Sequence, residues 1–210
     1  MKKTLINSIV GITAVFSFAV PSYGQGKINL DNYDSTLNPL ITYGASWGPS
    51  LSGQGMQNNT AGGGQWTIGF YYTLGDVTGS IANDPTGFAD PSTLGGGLAF
   101  ANGSVGDTTT FNAVPGKFTT TGDAVINGYT SGVITMELVV YNSSSYSTAF
   151  IARGHSPAFT LTPATGTATA PQVGNFMPAF SIQIMPEPST FALAGIGSTL
   201  FLAFRRRQRS

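Results

Sequence analysis

Residues 25–184 predict an all-β fold, an antiparallel β-sandwich of jelly-roll-like form, with an apolar segment on either side of it. Three observations carry this. The stretch is rich in Gly, Thr, Ser, Asn and aromatic residues and poor in the Leu, Glu and Lys that favour helices. Several segments alternate apolar and polar residues with period two, the pattern of a half-buried strand. Between them lie turn-rich runs such as "GQGMQNNTAGGGQ" and "ANDPTGFADPSTLGGG".

The strongest strand is "QWTIGFYYTL", with Trp66, Ile68, Phe70, Tyr72 and Leu74 on one face. "VITMELVVY" puts Ile134, Met136, Leu138 and Val140 together, and "FSIQIM" does the same with Phe180, Ile182 and Ile184. Shorter candidates are 27–30, 40–43, 97–102, 117–120, 124–127 and 158–162. The run "TPATGTATAPQVGNFMP" reads as a mobile loop inside the domain, because a strand follows it. Roughly nine strands, no convincing helix and no internal repeat give one domain.

Charge separates the body from its ends. Lys2 and Lys3 open the chain, and Arg205, Arg206, Arg207 and Arg209 close it. The body keeps three cations (Lys27, Lys117, Arg153) against eight acids, a net −5. Such a surface repels phosphate backbones, so no nucleic-acid partner is expected. There is no cysteine, which removes disulfides and thiolate metal sites.

The first 24 residues have the three parts of a signal peptide: the two lysines, an apolar run from Leu5 to Val20, and Pro21 before small residues. Cleavage by signal peptidase is expected between Gly24 and Gln25. The alternative is an uncleaved anchor, against which Pro21 and the small residues argue.

At the other end, Pro186-Glu187-Pro188 precedes the uncharged run Phe191–Phe204 and then the arginines. Fourteen residues of helix cover roughly 21 Å, short of the ~30 Å hydrocarbon core. The arginines extend such a span by snorkelling and hold the C-terminus in the cytoplasm. A transmembrane helix over 190–204 is therefore expected, with the body outside the inner membrane. Both prolines fix φ and lack an N–H, which keeps the motif extended just outside that helix. This order of motif, helix and arginines over 185–210 resembles the PEP-CTERM sorting signal of Gram-negative bacteria. The resemblance implies processing by exosortase and transfer to the cell surface or the extracellular polymer.

Within the body, chemistry is sparse. His155, the only histidine, lies in "ARGHSPAF" without a Gly-x-Ser-x-Gly elbow, and reads as a loop histidine before a strand. One His and no Cys make a zinc site a poor reading, and no catalytic or metal residue is assigned. Glu137 faces away from the Ile134, Met136, Leu138 face and is expected to be a solvent-facing strand residue. A polysaccharide-active enzyme would instead need it in a groove roughly 5–10 Å from a second carboxylate. Asp31 with Asp34, or Asp84 with Asp90, supply oxygen ligands for a structural calcium ion, though neither pair has the ligand density of a recognised loop. No other cofactor is expected.

Aromatic residues give the binding hypothesis. Trp47, Trp66 and Tyr71 are candidate sugar-stacking residues, against the plainer reading of core packing. The leading expectation is an exported, non-enzymatic surface or matrix protein, structural or adhesive in exopolysaccharide or biofilm. A carbohydrate-binding module is the alternative.

Overall fold

A computed structural model describes residues 25–58, 65–102, 104–149 and 152–184. The expected signal peptide over 1–24, the helix over 190–204, the Pro186–Pro188 motif, Arg205, Arg206, Arg207 and Arg209 lie outside the described residues. Of the expected cleavage pair Gly24 and Gln25 only Gln25 is described; it is exposed just before the first strand.

The body is all-β. Its strands are β1 (Gly26–Ile28), β2 (Ile41–Tyr43), β3 (Thr67–Leu74), β4 (Ala99–Phe100), β5 (Ala124–Ile126), β6 (Ile134–Tyr141), β7 (Ala152–His155), β8 (Phe159–Leu161) and β9 (Phe180–Ile184). Four single 3₁₀ turns are the helical segments among the described residues. None is long or apolar enough to cross a membrane.

The strands divide seven to two. β2-β9-β7-β6-β3-β4 form the large sheet with β8 also on β6, and β1 pairs with β5 in a separate ribbon. This is not the pair of Greek-key sheets of a jelly roll. Nor is the pairing wholly antiparallel, since β2 runs parallel to β9, with Ile41 beside Phe180 and Tyr43 beside Ile182.

The long pair β3–β6 sets the frame, in register from Thr67–Tyr141 to Leu74–Ile134. One face carries Trp66, Ile68 and Phe70 from β3 and its approach, with Ile134, Met136, Leu138 and Val140 from β6. They pack with Ile28, Ile126, Phe118, Val173 and Ile182 into the main core. Each such side chain, taken from water, contributes roughly 1.5–3 kcal/mol before conformational entropy is set against it.

The opposite face of β6 is also buried, so all eight of its residues are enclosed. Tyr71, Val139, Tyr141 and Tyr146 form a second cluster there with Leu98 and Ala149, under Ile81 and Phe100. The chain after β3 folds back to cover this face. Thr135 Oγ1 anchors the return, accepting from Val77 N at 2.9 Å and donating to Gly75 O at 2.8 Å.

Two segments depart from expectation. The run 162–178, expected to be a mobile loop, lies along β1: Ala164 bridges Lys27, Gln172 bridges Asn29, and Val173 and Met177 are buried. The expected strand 117–120 makes only one bridge, Phe118 to Phe111, because Asn32 takes up its backbone instead. Asn32 Oδ1 accepts from Phe118 N at 2.7 Å, and its Nδ2 donates to Gly116 O at 3.1 Å.

Candidate functional site: a buried acid–histidine–acid cluster at a bulge

The local geometry begins with a register change. β7 pairs with the far half of β6, placing His155 opposite Val139, while β8 pairs with the near half, placing Phe159 opposite Met136. Ser156, Pro157 and Ala158 therefore face only two residues, Glu137 and Leu138. One extra residue in one strand is a β-bulge, a device that re-aims side chains. Pro157 suits the gap because it has no N–H to leave unpaired.

Ser156 repairs the ladder. Its N–H donates to Leu138 O at 2.8 Å, while its hydroxyl oxygen accepts from Leu138 N at 3.0 Å. The Ser156 carbonyl, freed from the ladder, lies 2.8 Å from His155 Nδ1. Its hydroxyl, bonded also to Pro157 O at 2.9 Å, sits in a residue with no exposed surface and is not a free nucleophile.

His155 is thus not a loop residue but the last residue of β7, 6 % exposed. Glu137 is likewise not solvent-facing: it is 1 % exposed, because the fold-back after β3 covers a face that an isolated sheet would leave wet. Glu137 Oε2 lies 3.1 Å from His155 Nδ1, and Asp84 Oδ2 lies 3.2 Å from Nε2. The imidazole stands between two carboxylates.

Every neighbour of the ring nitrogens is an acceptor, so the ring donates from both and is favoured as imidazolium. Burial pushes its pKa down, but Glu137, the Ser156 carbonyl and Asp84 together outweigh that and raise it above the ordinary value. Burial likewise pushes Asp84 up. The Thr86 hydroxyl, the amides of Ala89 and Thr86, and His155 overcome it and hold Asp84 well below the usual carboxylate range.

Asp84 is fully engaged. Oδ1 accepts from Thr86 N at 2.9 Å and from its hydroxyl, and Oδ2 accepts from Ala89 N at 2.7 Å. The Asp84-Pro85-Thr86 turn therefore ties the covering segment to the sheet through His155. A second tie lies beside it, where Gly87 O accepts from His155 N at 3.1 Å and from the Tyr146 hydroxyl at 3.0 Å. Gly87 has φ +68°, which a residue with a Cβ adopts only with strain.

Two shallow clefts flank this clamp and share Asn83, Asp84, His155 and Pro157 as walls. One, of about 220 Å³, is bounded by Ile81 and Glu137. The other, of about 230 Å³, is bounded by Phe180 and Gln183.

The candidate sugar-stacking residues fall elsewhere. Trp66 has no exposed surface and Tyr71 is 6 % exposed, so neither offers a ring face to solvent; both are core residues. Trp47 is partly buried, edge-on to Tyr43 at 5.0 Å and to Trp66 at 6.0 Å, with Nε1 donating to Ile182 O at 2.9 Å. Tyr71 packs edge-on against Phe100 and Tyr146.

Two of the other candidate calcium carboxylates cap their own turns. Asp31 Oδ1 accepts from Tyr33 N at 2.6 Å and Asp90 Oδ1 from Ser92 N at 3.0 Å. Among the described residues no group of three His, Asp or Glu is arranged to hold a metal ion.

The sequence pointed to Glu137 and His155 separately but not to their meeting. The one signal that would have joined them is Ser-Pro directly after His155, a pair that interrupts a strand and invites a bulge.

Fold and cluster define the class: a β-rich domain whose buried charges clamp its own covering segment. The address is carried outside that domain. Residues 186–207 match the family model described as the PEP-CTERM protein-sorting motif, so the chain carries a PEP-CTERM sorting signal. That signal implies an exported protein addressed to exosortase. Comparisons with curated proteins and with solved structures each gave no match.

Proposed function

We propose that this chain is an exported, non-enzymatic surface or extracellular-matrix protein. It leaves through a cleaved signal peptide, is held in the inner membrane by its C-terminal helix, and is passed outward when exosortase removes the tail. In the matrix its β-domain serves a structural or adhesive role in exopolysaccharide or biofilm. The sorting motif at 186–207 is the observation that carries the reading.

The body supports it in two ways. Its cluster of ionisable groups is committed to holding the fold: the imidazole fills the space between Glu137 and Asp84 where a glycosidase would need its substrate. Its net charge of −5 suits a soluble domain that stays clear of nucleic acid.

Mass spectrometry of membrane and extracellular fractions from native cells tests the reading. The expected result is body peptides outside the cell and no peptide from beyond Pro188. β9 is an interior strand between β2 and β7, so the mature C-terminus is expected after Ile184. An intact tail confined to the membrane fraction would overturn the reading and leave a single-span anchored protein.

A further inference from the structure

The last strand is fastened as far as Ile184. Ile184 N donates to Ser46 Oγ at 2.7 Å, and Gln183 Oε1 accepts from Ser46 Oγ at 2.7 Å and from Ser46 N at 3.1 Å. One residue back, Ile182 O accepts from Gly44 N at 2.8 Å and from Trp47 Nε1 at 2.9 Å. A Cβ at Gly44 would collide with the Gln183 side chain, so turn 44–48 and the strand end fit one another closely. Chain ends are poorly ordered unless tied down. Here side chains do the tying.

Only Met185 separates Ile184 from Pro186. Two steps of extended chain span at most about 7 Å. An enzyme that grips the motif at 186–188 therefore meets the surface beside Ile184, because the strand end yields no slack without breaking these bonds. The bilayer is under no such constraint: the extended chain from Ile184 to Phe191, where the uncharged run begins, reaches roughly 25 Å.

That surface is turn 44–48, with Ala45 and Ser46 exposed, and it belongs to a stretch, 35–75, that contains no charged residue. On the other side of β9, Arg153 pairs with Gln183, but its guanidinium lies 4.9 Å from the Tyr146 ring and donates to Tyr146 O at 2.9 Å.

We propose that exosortase docks on this uncharged turn while it holds the sorting motif, so that the body as well as the tail is recognised. The proposal rests on the sorting reading above and names a second contact with the same partner.

The test is a pulse-chase of the full-length chain in native cells, following loss of the tail by mass. Ala45→Glu and Ala45→Lys should both slow tail removal about tenfold, since each presses a charge into an uncharged contact. Pro49→Glu, exposed in the same loop, carries the test if the Ala45 variants melt below wild type. A Gly-Ser spacer of about twelve residues after Ile184 adds about 20 Å of slack and should return each variant to the rate of wild type bearing the same spacer. Leu37→Glu, exposed next to the Thr36–Asn175 contact that precedes β9, should leave the rate unchanged.

Wild-type rates in the charged-turn variants overturn the proposal, as does slowing that the spacer leaves in place or that Leu37→Glu reproduces. Slowing by Glu with acceleration by Lys assigns the contact to anionic lipid and overturns it too. A wild type that keeps its tail fails the sorting reading itself. Every other failure, in a wild type that loses its tail, sinks the docking surface alone.

Discussion

The two faces of β6 are equally buried and differently built. One presents Ile134, Met136, Leu138 and Val140, all apolar, to the main core. The other presents Thr135, Glu137, Val139 and Tyr141 to a cover made of loops. Loops cannot bury themselves without satisfying their backbone groups, so this second face must supply polar partners. It does so with Thr135, Glu137 and His155, which the covering chain answers with Asp84. Irregular chain laid over this face draws hydrogen-bonding groups and charges inward.

Substitutions on the two faces should therefore fail in different ways. The largest loss is expected from Trp66→Ala, which empties the main core: about 4 kcal/mol in chemical denaturation. A loss below about 1 kcal/mol would mean that the main core is not where stability resides.

Next comes His155→Gln, which leaves buried Glu137 and half-buried Asp84 without their cation. It should cost about 3 kcal/mol, comparable to breaking a buried pair. Its sharper signature is cooperativity. In a double-mutant cycle with Asp84→Asn the losses should fall short of additive, whereas Trp66→Ala combined with Asp84→Asn should add. Additivity in both cycles would erase the distinction between the faces.

The pH dependence separates them further. The folded pKa of His155 is raised, so its contribution is complete below the unfolded value of about 6.5 and lost as pH rises through the folded value. The Asp84 contribution has the opposite sense, present above about 3.8 and lost as pH falls through its depressed folded value. The difference in unfolding free energy between wild type and His155→Gln should thus be greatest between these limits and shrink toward pH 9. A difference that stays flat with pH would mean that folding leaves the ring's pKa unshifted, and one that grows as pH rises would mean that the ring is held neutral in the fold. Tyr71 and Tyr146 are pushed up chiefly by burial, so their ionisation does not enter this range.

The smallest effect is expected outside both faces. Val105 is 88 % exposed, and Val105→Ser should change stability by no more than about 0.5 kcal/mol.

Legibility followed period and range. β3, β6 and β9 were readable because their alternation continues over five to eight residues. β7 was missed. "ARGH" carries two charged or titratable residues and a glycine, and it becomes a strand only because β6 and β9 flank it. Trp66 lies on the inner face that its alternation predicts, and the core encloses it there. Trp47 packs edge-on against it from a segment about twenty residues earlier, beyond the reach of local pattern. The parallel pairing of β2 with β9 joins residues 41–43 to 180–182, and nothing within either segment specifies it.

The sequence by itself determined the sorting signal, the all-β character and the inner face of the long strands, except at the end of β3, where Leu74 is exposed. These follow from short-range order: a motif read in its own residues, turn residues that punctuate the chain, and a side-chain period of two. Tertiary structure alone decided that the second face of β6 would be covered, that one extra residue between β7 and β8 would turn His155 onto Glu137, and that Asp84 would reach it from a loop 71 positions away. The reason is physical. Alternation says only that one face differs from the other, whereas burial of both depends on which distant segment returns to lie across them.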